Sequence, residues 1–214
     1  MQTGVQFTLD DLDKPVYLFL VRQIHAKSDI VRAGMEIMLR KGFSATGVEA
    51  ILKQANVCKG SFYNFFSSKE EFGLAVIDEF RAKMGAIFQP IAEDTSLPPL
   101  ARLRKYFETV FGMFERDNCT KGCLFGNLGL EMADQSEAVR ERIDYGLQLW
   151  TDKICGLLEE AQDARQLPAD LDPRLMAETL VSSFEGALLL AKVKKSPQPL
   201  RSFIAFYFER VLTM

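Results

Sequence analysis

Residues 46–66, TGVEAILKQANVCKGSFYNFF, most constrain what this chain can fold into. Thr46 followed three residues later by Glu49 has the spacing of a capping box and predicts a helix opening at Gly47. Val48, Ile51, Leu52 and Ala55 keep a helical period and give that helix one apolar face. Asn56 then tolerates the left-handed conformation that reverses the chain. A second short helix over roughly residues 59–65 carries Lys59, Ser61, Tyr63 and Asn64 among Gly60, Phe62 and Phe66. Two short helices joined in this way form a helix-turn-helix pattern, whose second helix enters the DNA major groove. An ordinary helical hairpin is the competing reading of this unit taken alone.

The rest of the chain predicts helices as well. Strand signals are scarce, with no alternating Val/Ile/Thr run and no Asn-Gly hairpin, so the fold class is all-α. At 214 residues and 48% hydrophobic content there is material for one large domain, or for a small and a larger one sharing a helical body. Ser28 is placed to cap a first helix that stops at Arg40-Lys41-Gly42, with basic residues in the last turn and glycine just beyond. The predicted core of the head is Ile30, Ala33, Ile37, Phe43, Val48, Ile51, Leu52, Val57 and Phe62. Ser68 with Glu71 forms a second capping box and opens a long helix that Pro90 is expected to end. Further helices follow Pro98-Pro99, the CTKG loop, Ser136, Asp172-Pro173 and Ser196-Pro197, which brings the count to nine.

Charge separates head from body. The whole chain carries −3, but residues 22–69 hold eight Lys/Arg against three Asp/Glu. From residue 70 onward there are 17 basic and 23 acidic residues. A basic head on an acidic body suits a modular DNA binder, because phosphate contacts need charge only at the contact face. The run VYLFLV is six residues long and is followed by Arg22, too short for a membrane span or a secretory core. A cytoplasmic protein with no membrane partner is expected, with Cys58, Cys119, Cys123 and Cys155 reduced at rest. An enzyme is not expected. His25 is the sole histidine, Cys119 and Cys123 have no second pair to complete a zinc site, and no glycine-rich phosphate loop occurs, so no cofactor or metal is predicted.

The run A-x-V-x-K-G-x-F-Y-x-x-F-x-S-K-E-x-F, over residues 55–72, resembles the helix-turn-helix of the TetR family of repressors. The resemblance implies a nine-helix architecture: a variable N-terminal arm over 1–27, a DNA-binding domain over 28–67, and a ligand-binding and dimerisation domain over 68–214. In the head, Thr46 is read as a helix cap whose free amides suit a phosphate. Lys59 is read as a phosphate or guanine ligand, and Gly60 as the point of close backbone approach. Ser61 and Asn64 are the candidates for base edges. Tyr63 and Lys69 match family positions that hold phosphates, with core packing as the other reading of Tyr63. Cys58 stands where relatives often have Ser or Pro.

In the body, Cys123, Asn127 and Glu131 recur every four residues and are expected to form one polar stripe on a glycine-containing apolar helix. The run GCLxGNLxxEMA resembles a TetR subgroup that responds to electrophiles, oxidants or small unsaturated acids such as acrylate, which implies Cys123 as a sensing thiol. A helix N-terminus and nearby Lys121 both favour the thiolate there. A small buried hydrophobe is the competing reading of Cys123. Trp150, Phe111 and Glu185 are further candidates to line a pocket, with core or dimer packing as the alternative. Phe184, Leu188, Phe203, Ile204, Tyr207 and Phe208 exceed the needs of one core and are read as an isologous homodimer interface. The function that follows is a repressor released from a palindromic operator by a small molecule or by modification of Cys123. A purely non-covalent inducer and a helical scaffold that does not bind DNA are the alternatives.

Overall fold

The first helix, α1 (Lys14–Lys41), begins well before Ser28 and runs straight through it, so Ser28 does not cap a helix start. Pro15 falls in the first turn, where its missing N–H leaves no hydrogen bond unmade. The computed structural model describes residues 14–213, with side chains from residue 26 onward. Residues 1–13 of the expected arm and the side chain of His25 lie outside the described residues. The stop after Lys41 has the expected form: Gly42 adopts φ +80° and its N–H donates to Met38 O at 2.9 Å.

α2 (Val48–Ala55) and α3 (Lys59–Phe65) form the hairpin, reversed at Asn56 with φ 54° and ψ 45°. The capping box at Thr46 does not form. Gly47 is the cap residue of α2 and contributes no side-chain bond. The Thr46 hydroxyl instead donates to Gly42 O at 2.6 Å and is fully buried. The turn between α1 and α2 passes over apolar side chains, and an unpaired carbonyl there would cost more than an uncapped, solvated helix end. Phe62, Phe66 and Phe72 meet with ring centroids 5.1–5.4 Å apart. Each is essentially removed from solvent, worth about 1.5–3 kcal/mol apiece. Phe72 belongs to α4 (Lys69–Ala92), so the first turn of the long helix is also part of the head's core.

Ser68 Oγ accepts from Glu71 N at 3.0 Å, as its spacing predicts. Pro90 does not end α4; it sits in the last turn, where one missing backbone bond is tolerated, and the helix reaches Ala92. Then come α5 (Pro99–Arg116), α6 (Leu124–Met132), α7 (Glu137–Asp163), α8 (Pro173–Lys194) and α9 (Gln198–Phe206), followed by a π-helical turn over Tyr207–Val211. Ser136 and Asp172 cap α7 and α8 as predicted. The described residues hold nine α-helices and no strand. α7 packs on α4, α5, α6 and α8, while α1 touches α2, α3, α4 and α6.

The six residues read as a dimer face lie inside the single chain. Phe184, Leu188, Phe203, Ile204, Tyr207 and Phe208 are all buried. α9 and the π turn fold back on α8 and α5, bringing Phe107 within 5.0 Å of Phe184 and 5.1 Å of Phe203, ring to ring. The large apolar residues left outside on these helices are Leu175 near the start of α8, and Leu189, Leu190, Val193 and Phe206, the last two 70% and 57% exposed.

Candidate nucleic-acid interface and ligand cavity

On α3, Lys59, Gly60, Tyr63 and Asn64 are exposed and Ser61 is half-buried. Tyr63 is 57% exposed, so it is not a core residue; its ring meets Phe62 edge-on at 5.3 Å. No atom lies within 4 Å of where a Cβ on Gly60 would sit, so nothing inside the chain requires glycine there. Cys58 is the cap residue of α3 but makes no capping bond. Its Sγ lies 3.3 Å from Ser61 Oγ, and that contact holds the exposed thiol below its ordinary range. Lys69 is placed differently from the expectation. Its Nζ donates to Ser44 O at 3.3 Å and sits 4.5 Å from the Phe43 ring, half-buried against the turn after α1. Thr46, with its hydroxyl turned inward, is likewise withdrawn from the surface.

A cavity of about 330 Å³ lies in the body, walled by Phe80, Phe88, Phe125, Trp150 and Phe184. Cys123, Tyr106, Trp150 and Glu185 all line it, as do the charged side chains of Glu36, Arg81, Lys83, Asp117, Lys121 and Lys153. Glu185 Oε1 and Trp150 Nε1 are shut off from solvent; Oε1 has no hydrogen-bond partner, and the indole N–H has only the Tyr106 hydroxyl beside it, without a well-formed bond. Burial pushes the Glu185 carboxyl up to about 7, with a hydrogen bond from Cys123 pulling the other way. Burial also pushes the Tyr106 phenol up, so it stays protonated. Phe111 is partly buried in the core and does not line this cavity.

The Cys123 thiol departs from the expected thiolate. Burial drives it well above its ordinary range, and the charge and hydrogen bond of Glu185 add to that. Backbone bonds from Gly126 and Phe125, at the start of α6, oppose the shift but are smaller. Lys121 gives no help, because its Nζ is already committed to Glu36 at 2.7 Å and Asp117 at 2.9 Å.

The expected polar stripe on α6 divides between two partners. Cys123 faces the cavity, whereas Asn127 and Glu131 are absent from its lining and hold the end of α1. Asn127 Nδ2 donates to Leu39 O at 3.0 Å, and Gly122 N and Lys192 Nζ reach the same carbonyl at 3.0 and 3.4 Å. Glu131 accepts from Phe43 N at 3.2 Å and Ser44 N at 2.8 Å. A Cβ on Gly42 would collide with that carboxylate, which gives this glycine a second reason beyond its positive φ. The sequence carried no signal for Leu39 as the acceptor, because a backbone carbonyl is the same at every residue. Tyr106 and Lys192 were missed because each reads as one more member of an amphipathic helix.

Among the described residues no group of His, Cys, Asp and Glu is placed to hold a metal ion, and no helix is long and apolar enough to cross a membrane. Two family models match the chain: bacterial regulatory proteins of the tetR family over residues 30–76, and the tetracyclin repressor-like C-terminal domain over residues 99–207. The transcriptional regulator AcuR of Cereibacter sphaeroides is 38% identical over 188 residues, 88% of this chain and 86% of that protein. The transcriptional repressor NemR of Escherichia coli is 28% identical over 179 residues, 84% of this chain and 90% of that protein. The crystal structure of regulatory protein TetR from Rhodobacter sphaeroides superposes with a TM-score of 0.83 at 38% identity, covering 86% of this chain and 97% of that one. These are regulators, not enzymes. With a helix-turn-helix head, a cavity-bearing helical body and both family models in chain order, this protein belongs to the TetR family of DNA-binding transcriptional regulators.

Proposed function

We propose that this regulator is a cytoplasmic repressor that binds a palindromic operator as a homodimer and is released when a small molecule enters the body cavity. The observation that carries the reading is the placement of α6, which contributes Cys123 to the cavity wall and holds the end of α1 through Asn127 and Glu131. A ligand that displaces the start of α6 pulls on the turn before the recognition hairpin. The head, through residue 67, reads DNA; the body, from residue 68, binds ligand and pairs. On α3, Lys59 and Tyr63 meet phosphates, Gly60 lets the backbone approach, and Ser61 and Asn64 reach base edges. The withdrawn positions of Thr46 and Lys69 support a role for both in shaping the turn that presents α3. Pairing uses the exposed Leu189, Leu190, Val193 and Phe206 beside the groove between α8 and α9.

Cys123 is the candidate sensor, and NemR, whose reduced form has been crystallised, is similar in fold over 88% of the chain with a TM-score of 0.75. A second reading, a purely non-covalent inducer such as a small unsaturated acid, is favoured by one observation: the buried Cys123 thiol is held neutral. A gel-shift titration with the promoter upstream of its own gene tests the repressor reading. A shift that weakens with salt is expected, and none at micromolar protein would sink it. Replacing Cys123 with Ser separates the two inducer readings. Release by electrophiles is expected to disappear while operator binding stays, and persistent release would favour the non-covalent one.

A further inference from the structure

Cys123 and Glu185 come from different helices and converge on one point of the cavity wall. A Cβ built on Gly126 would lie 2.6 Å from Glu185 Oε2 and 4.0 Å from Cys123 Cβ, so the carboxyl group rests over the first turn of α6 against the cysteine. The other oxygen, Oε1, is buried and has no partner within the chain, which costs stability and leaves an acceptor open to a bound molecule. Nearby, Trp150 Nε1 is a buried donor, with the Tyr106 hydroxyl as its one polar neighbour and no well-formed bond to it. A buried carboxyl oxygen without a partner and a buried N–H beside the Tyr106 hydroxyl, both facing one cavity beside a thiol, are complementary to a ligand that accepts a hydrogen bond and takes a nucleophile.

We propose that Glu185 is the proton acceptor for Cys123, in a site that takes an uncharged α,β-unsaturated carbonyl compound. This inference rests on the reading of Cys123 as the sensor. The S–H bond breaks and its proton passes to the Glu185 carboxylate. The sulfur electron pair forms the bond to the ligand's β-carbon, and the C=C pair moves toward the carbonyl as an enolate. Trp150 N–H donates to the enolate oxygen, and Glu185 returns the proton to the α-carbon. Nothing is oxidised or reduced and no group leaves. The step explains how a thiol held neutral reacts: it is deprotonated on the ligand rather than in advance. It also favours a neutral ligand, because a carboxylate conjugated to the reacting carbon would lie against ionised Glu185. Of the other charged groups lining the cavity, Lys121 is committed to Glu36 and Asp117, Arg81 pairs with Asp78, Lys153 lies over the Phe88 ring, and Lys83 sits at the solvent-exposed edge.

The test follows adduct formation at the Cys123 peptide by mass spectrometry, with acrylamide as probe, from pH 5.5 to 8.5. Operator release is measured in the same samples and folding is checked by thermal unfolding. In the wild type the rate should rise through pH about 7 as the carboxyl ionises, with the Cys123 thiol and Tyr106 phenol neutral throughout. Glu185→Gln should slow the reaction at least tenfold at pH 8, within the roughly 10²–10⁴-fold that a positioned base supplies. Gly126→Ala, which displaces the carboxyl group, should slow it as well. An unchanged or faster rate in Glu185→Gln overturns the assignment, as does acrylate reacting as fast as acrylamide. Adduct formation without operator release instead sinks the sensor reading and leaves the role of Glu185 standing.

Discussion

The Glu131 carboxylate on α6 accepts the backbone N–H of Ser44 at 2.8 Å, joining residues 87 positions apart in the chain. Its other oxygen takes Phe43 N at 3.2 Å, so one side chain satisfies two amides in the turn that leads into the DNA-reading hairpin. About 13 Å of helix separates this clamp from the Cys123 end of α6. The helix is short and rigid, and its two ends answer to different parts of the molecule.

Replacing Glu131 with Ala should therefore loosen the head from the body. Two charge-assisted bonds are lost and two amides are left to water in a half-buried turn, a cost of about 1–3 kcal/mol. Urea unfolding should detect that loss. Operator titrations with and without inducer should show a smaller ratio of affinities than in the wild type. An unchanged ratio would mean that the signal bypasses this clamp.

Lys59→Ala should weaken operator binding on every sequence and reduce the salt slope by about 1. Asn64→Ala should cost about 1–3 kcal/mol on the operator and much less on random DNA. Fluorescence anisotropy at several salt concentrations distinguishes the two. Equal losses on both DNAs for Asn64→Ala would place it on the backbone instead.

The buried acid gives a stability test. Below pH 4.5 the Glu185 carboxyl is neutral folded and unfolded and contributes no penalty. Between 4.5 and about 7 the unfolded chain releases the proton that the folded chain keeps, so stability falls as pH rises. Above that window the full penalty of about 3 kcal/mol stands. Glu185→Gln removes the ionisation, so its melting temperature should exceed the wild type's by several degrees at pH 8 and by little at pH 5. A gain larger at pH 5 would contradict the burial of this charge.

Charge placed on the α8–α9 surface should separate copies without unfolding them. Phe206→Glu is expected to give a folded monomer by light scattering, with operator affinity falling sharply because each half-site is then read alone. Ile204→Glu, two residues away but buried, should unfold the body instead. A Phe206→Glu protein that remains dimeric would move the interface elsewhere.

Much of this architecture is local and was legible in the chain. Ser68, Ser136 and Asp172 cap the helices they precede, Asn56 and Gly42 turn where left-handed geometry is needed, and the apolar periods mark the buried faces. Each depends on neighbours a few residues away, and the side chain that does the work is visible in the one-dimensional pattern. Thr46 satisfied the capping pattern and still turned inward, because Gly42 O needed a partner more than a solvated helix end did.

The tertiary structure decided the rest, for a common physical reason. Apolar surplus on α8 and α9 does not say whether it meets another helix of the same chain or another copy, and here Phe107 claimed Phe184 and Phe203. The every-fourth-residue stripe on α6 is real as a pattern, but its partners come from α1 and α8, and neither is encoded near it. Lys121 beside Cys123 suggested a thiolate, yet Glu36 and Asp117 took the ammonium and Glu185 took the thiol. Sequence alone determined the all-helical fold and the family. Which charges meet, and which are buried without a mate, depended on long-range packing.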